Sequence, residues 1–242
     1  MIKLLNKSTL FISLLLLFNS PVLGQMFSVD SNEQRERPLF STTVLSIGLE
    51  AADFSYSGSS PNSVTRLDFN DPIFRVRFET PGLEFNIGVG GAITGMDSRN
   101  YVNIGGQLSN NLILYRKENL FIVLPLQLTT DVKRVLDNQT DFEFQISSFS
   151  FGTGIGLYSR LSSTFSTSAN LNPNYGFSYA RGSFFGGQVF HVNGKWRLFI
   201  NKILPANPIV LGYDFIYKRY MVEGDLYDYD FTGHTITLGF GF

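Results

Sequence analysis

The 242-residue chain has no cysteine and two histidines; 16% of its residues are charged and 15% aromatic, 24 of them phenylalanine. Charge this far below the roughly 25% of ordinary soluble domains, with a formal net charge of −1, leaves no basic face for nucleic acid. The missing cysteines exclude a disulfide scaffold, thiolate metal sites, a cysteine nucleophile and a lipid-modified cysteine anchor, and two histidines leave little metal or catalytic chemistry.

The first 24 residues read as a secretory leader. Lys3 and Lys7 form a positive start, Leu10 to Phe18 is an apolar run broken only by Ser13, and Val22, Leu23 and Gly24 precede a plausible cut before Gln25. Nine apolar residues are too few for a membrane helix, which needs roughly 20. Residues 25–38 are polar and form a flexible lead-in, so the folded part is expected over 39–242.

From there the period is two. Phe74, Val76 and Phe78 alternate with Arg75, Arg77 and Glu79; Leu83, Phe85, Ile87 and Val89 alternate with Glu84, Asn86, Gly88 and Gly90. Phe190, Val192, Trp196, Leu198 and Ile200 alternate with His191, Asn193, Lys195 and Arg197, and Ile236, Leu238, Phe240 and Phe242 with Thr235, Thr237, Gly239 and Gly241. Such segments are strands with one apolar and one polar or small face. The predicted strands are 39–51, 65–79, 83–95, 101–115, 120–130, 142–159, 164–177, 183–201, 209–220 and 231–242: ten, with eight as the alternative count. Pro125 excludes a membrane helix from the best internal apolar run, Leu120 to Leu128.

Connections alternate in kind. Thr80 to Gly82, Arg116 to Asn119, Leu161 to Ser163 and Lys202 to Pro208 are tight turns; Ala52 to Val64, Met96 to Asn100, Asp131 to Asp141, Ser178 to Gly182 and Met221 to Asp230 are longer links. One end of the sheet is therefore turned tightly and the other carries loops. The strands are longer than the globular norm of about 5–6 residues and match the 9–11 that a tilted strand needs to cross a bilayer. An apolar exterior with a polar interior suits a closed antiparallel up-and-down transmembrane β-barrel, in which closure removes the open edges that lipid would penalise.

The leader, the alternating strands, the absent cysteines, the aromatics near strand ends and the closing strand Thr235 to Phe242 resemble small outer-membrane β-barrel proteins of Gram-negative bacteria, of the OmpA/OmpX-like barrel or porin-like kind. The resemblance covers residues 39–242 and implies that the chain reaches the outer membrane after leader cleavage, meeting outer-membrane lipid and lipopolysaccharide. It also implies handling by periplasmic chaperones and the barrel-assembly machinery, with Leu238, Phe240 and Phe242 as the assembly signal. No further domain is expected after the last strand. In such a barrel the short turns face the periplasm, with Phe78, Phe85, Phe199, Phe240 and Phe242 as girdle aromatics there and Tyr175, Phe177, Tyr217 and Tyr220 near the outer rim.

The polar faces would project Arg75, Arg77, Glu79, Glu84, Lys195, Arg197, Asp214 and Lys218 into the lumen, five cations against three acids. They suit either a mutually neutralising network that fills the barrel or a narrow polar pore with slight anion preference. Glu223, Asp225, Asp228 and Asp230 make the last loop acidic; it is either a solvated loop or a contact for a divalent ion or lipopolysaccharide, although calcium-loop spacing is absent. No metal site, cofactor or catalytic residue is assigned. Lipolytic barrels carry a His and a Ser two apart, where this chain has His191 with Asn193 and His234 with Ile236. The ten-stranded protease family adds an Asp-x-His step that is missing beside Asp228 and Asp230. Gly152, Gly154 and Gly156 sit in a strand, where glycine permits bending or close packing. The expectation is an integral outer-membrane barrel with a structural or surface-interaction role, a small porin-like channel as the alternative and a hydrolase behind both.

Overall fold

Dyad alternation builds a wall with one face to lipid and one to the lumen. The computed structural model describes residues 42–59, 67–96, 99–139, 143–180, 187–201, 203, 207–222, 226 and 228–242. Its strands are β1 (Val44–Tyr56), β2 (Phe69–Glu79), β3 (Leu83–Gly90), β4 (Arg99–Lys117), β5 (Leu120–Asp137), β6 (Glu143–Thr153), β7 (Ile155–Arg160), β8 (Phe165–Ala180), β9 (Gln188–Ile200), β10 (Ile209–Met221) and β11 (Tyr229–Gly241). β6 and β7 are two pieces of one wall strand interrupted at Gly154, since both pair with β5 and with β8. The described residues thus form ten antiparallel wall strands. β1 pairs with β2 and β11, and β4 with β5, so the ring closes without an edge.

The pairing register sets the shape. A row followed from Val44 through Glu79, Glu84, Gln107, Thr129, Ser150, Gly176, Val189, Tyr220 and Tyr229 returns to β1 at Tyr56, twelve residues above its start. That stagger, at about 3.4 Å per residue across ten strands about 4.8 Å apart, tilts the strands by about 40°. Outward on β5 lie Ile122, Leu124, Leu126, Leu128 and Val132, then Arg134. Ten residues at that tilt rise about 26 Å, the height of a lipid-facing band. The outward side chains are the large exposed ones elsewhere too: Leu45, Ile47 and Leu49 on β1, Phe149 and Phe151 on β6, and Ile236 (73% exposed), Leu238 and Phe240 on β11.

Several predicted boundaries move. β5 runs on to Asp137 through residues expected in a loop, and β1 to Tyr56. The pairs that carry these extensions, Lys133 with Ile146 and Ala52 with Gly233, lie within continuous ladders that composition does not reveal. β3 ends at Gly90 instead of residue 95, because a short 3-10 turn, Ala92–Thr94, closes on Gly95 in the left-handed region (φ 85°). The leader over 1–24, the lead-in over 25–38, the start of the expected first strand and the loop acids Glu223 and Asp225 lie outside the described residues.

Candidate functional site

On β2, Arg75, Arg77 and Glu79 share the inward face because they are two apart; the same rule turns Glu84 on β3, Lys195 and Arg197 on β9, and Asp214 and Lys218 on β10 into the lumen. All eight residues expected there lie on the inner wall; Arg77, Glu79, Glu84, Lys195, Arg197 and Asp214 meet one another, while Arg75 and Lys218 find other partners. The Arg197 guanidinium donates from Nη2 and Nε to the two oxygens of Glu79 at 2.6 and 3.2 Å, and its Nη2 lies 2.9 Å from Asp214 Oδ1. Arg77 reaches Asp214 through Nη1 and Glu84 Oε1 through Nε at 3.2 Å. Lys195 Nζ closes on Glu84. β9 stands five strands from β3 in the ring of ten, so this last pair spans the full diameter. Burial makes the pairing obligatory, since removing one partner would leave a charge in the interior at a cost of several kcal/mol.

Toward the loop end the structure adds residues that sequence reasoning missed. Glu50, fully buried on β1, accepts from Arg75 Nε at 2.6 Å. Asp131 on β5 meets Lys218 Nζ at 2.9 Å and accepts from Asn103 Nδ2 at 3.2 Å, from Tyr220 at 3.3 Å and from Ser148. Lys133 is 1% exposed, and its ammonium has no hydrogen-bond partner among the described residues. It crosses from β5 to the face of Phe231 on the opposite strand β11, 3.3 Å from the ring centroid, with Tyr220, Phe54 and Tyr101 at 5.1 to 5.7 Å. A layer of Phe54, Phe69, Tyr101, Tyr220, Tyr229 and Phe231 fills this half of the lumen; Phe54 and Tyr229 stack at 4.6 Å. Asp131 and Lys133 escaped notice because Arg134 stands on the outer face between Val132 and Leu136, so charge falls on both faces and the alternation is blurred.

Two rim assignments are corrected. Tyr220 is buried inside, sharing the inward face of β10 with Asp214 and Lys218, and Phe199 follows Lys195 and Arg197 to line the interior at the turn end. Tyr175 and Phe177 do face outward, with Phe85, Phe240 and Phe242, while Phe78 and Tyr217 are half-buried. Phe242 exchanges backbone hydrogen bonds with Thr43 at 2.8 and 3.1 Å, where β11 meets the start of β1. Of the loop acids, Asp228 is buried, accepting from the Val222 amide at 2.9 Å and pairing with Arg219, and Asp230 accepts from the Tyr217 hydroxyl. No group of three or more His, Asp or Glu side chains is placed to hold a metal among the described residues.

The histidines part ways. His234 faces outward beside Tyr213, 2.8 Å from its hydroxyl. His191 is buried in the lumen with Nδ1 3.4 Å from Ser150 Oγ, a pairing between β6 and β9 that no local motif discloses. Ser150 is itself buried and lies 2.6 Å from Thr129 Oγ1.

An apolar wall facing outward around an interior of paired charges inverts the order of a soluble barrel and defines a transmembrane β-barrel of the outer-membrane kind. No protein-family model matches the chain, and no curated protein matches it. Among solved structures it is similar to the outer membrane protease OmpT from Escherichia coli, at 7% identity and a TM-score of 0.43 over 83% of this chain and 96% of that one. It is also similar to the attachment invasion locus protein Ail of Yersinia pestis, at 12% identity and a TM-score of 0.31 over 84% and 99%. A third likeness is to the translocator domain of the autotransporter NalP from Neisseria meningitidis, at 9% identity and a TM-score of 0.38 over 98% and 97%.

Proposed function

We propose that the protein is a sealed barrel of the Gram-negative outer membrane, exported with residues 1–24 removed, whose role is structural or one of surface interaction through its loop end. The observation that carries this reading is Lys133, which reaches across the lumen into the aromatic layer; the Lys195–Glu84 pair crosses the same lumen nearer the turns. Two crossings in series obstruct the polar path that a conducting pore needs. The buried Ser150–His191 contact supports a structural part for both residues, since Ser150 is shared with Thr129 and a substrate would have to pass one of the two layers. Orientation follows from the short turns, which face the periplasm in barrels of this kind.

The test is single-channel recording of the processed chain in a planar bilayer, after its unheated gel mobility is shown to differ from the boiled form. Silence from the folded barrel is expected; steady steps that scale with salt would overturn the sealed reading in favour of a narrow channel. For assembly, Leu238 and Phe240 on β11 and Phe242 directly after it serve as the recognition face. Phe242→Ala should leave protease-sensitive precursor in the periplasm, and normal insertion would remove that role.

A further inference from the structure

The diameter drawn by Lys195 and Glu84 divides the lumen into two unlike halves. Toward β10, β11, β1 and β2 lies the ion lattice. Toward β4, β5, β7 and β8 lies a cavity of about 120 Å³ that reaches the turn end at Thr42, Thr80 and Pro81 and is walled by neutral side chains, chiefly Gln107, Gln127, Asn170 and Asn172. Its charged margin is already neutralised, Arg197 by Glu79 and Lys195 by Glu84.

The amide wall is built by close packing of two sequence stretches. A Cβ on Gly152, Gly154 or Gly156 would collide with the side-chain amide of Asn174, Asn172 or Asn170, so the three glycines make room for three asparagines of the neighbouring strand. Asn172 is 0% exposed, and neither its Nδ2 nor its Oδ1 has a partner among the described residues; the buried Gln127 Oε1 is likewise unmet. Unmet donors and acceptors in the interior are costly unless a bound group satisfies them.

We propose that this amide-lined cavity binds a small neutral polyhydroxylated molecule, of single-sugar size or smaller, from the turn end of the barrel. A hydroxyl both donates and accepts, which is what a carboxamide with two unmet atoms requires. A charged ligand finds no counter-charge there and would lose its hydration without compensation.

Saturation-transfer NMR tests this on the processed chain folded in a detergent without a sugar headgroup, with D-glucose as the probe and D-glucuronate as the charged comparator. A saturable glucose signal is expected in the range of about 1–10 mM, with glucuronate weaker. Asn172→Leu and Gln127→Leu should each weaken glucose binding by about tenfold, while Ile47→Val on the lipid face leaves it unchanged. If Asn172→Leu does not fold, as read from gel mobility, Gln127→Leu carries the test alone. Absence of saturation would mean that the cavity holds only water and would overturn the proposal. Equal binding by the folded amide variants, or glucuronate binding as tightly as glucose, would overturn it too.

Discussion

Lys133 and Lys218 show how differently two buried lysines can be held. Lys218 has a carboxylate at 2.9 Å, whereas Lys133 has ring faces and no hydrogen-bond partner among the described residues. A desolvated cation–π contact returns about 2 kcal/mol, less than the several kcal/mol that taking an ammonium out of water costs. Lys133→Met should therefore stabilise the folded barrel by about 1–2 kcal/mol in urea unfolding from lipid vesicles. Lys218→Met should destabilise it by about 3 kcal/mol, because the Asp131 charge is left in the interior without its cation. Equal effects from the two substitutions would mean that the aromatic layer holds its ammonium as well as a carboxylate does. Phe54 lies in the same layer, stacked on Tyr229 and fully buried, so Phe54→Ala should cost about 3–5 kcal/mol in the same measurement.

Among the elements, the seam between the interrupted strand β6–β7 and β8 is the most exacting. A side chain at Gly152 would meet the Pro173 carbonyl as well as the Asn174 amide, and backbone cannot swing aside as a flexible side chain can. Gly152→Val should accordingly prevent stable pairing of β6 with β8 and leave the chain trypsin-sensitive, without the mobility shift of a folded barrel. Gly194→Ala on β9 should fold normally, since the nearest atom to its added carbon is Phe215 Cβ at 3.6 Å. The same two assays read both variants. The run Gly152 to Gly156 was legible in the sequence as a strand with room for close packing, but its partner was not. Asn170, Asn172 and Asn174 acquire their meaning only when the register lays β8 beside it.

At the scale of the whole molecule, the proposed seal has two layers. Lys195→Met removes the pair that spans β9 and β3 but leaves Lys133 and the aromatic layer in place, so recordings of this variant should stay silent. Lys133→Ala with Phe231→Ala opens the aromatic layer and leaves the ion lattice, and should also be silent. Only the three substitutions together should yield steps in a planar bilayer. Conductance from either partial variant would mean that one layer alone seals the barrel.

Dyad alternation, strand length and turn chemistry are local properties, and they sufficed to read an antiparallel barrel of ten strands with charged residues on its inner wall. A period of two dictates which side chains share a face whatever the partner strand is. The faces of Arg75, Arg77, Lys195 and Arg197 were legible for that reason, and the same parity rule, applied to Tyr220 and Phe199, would have turned them inward. Which charges meet was not legible. Lys195 finds Glu84, and Lys133 finds Phe231, only because closure with a twelve-residue stagger brings opposite strands to one level of the lumen. That stagger is a property of the closed ring as a whole, set by the packing of the interior as much as by any one hairpin, and so it was decided by the tertiary structure.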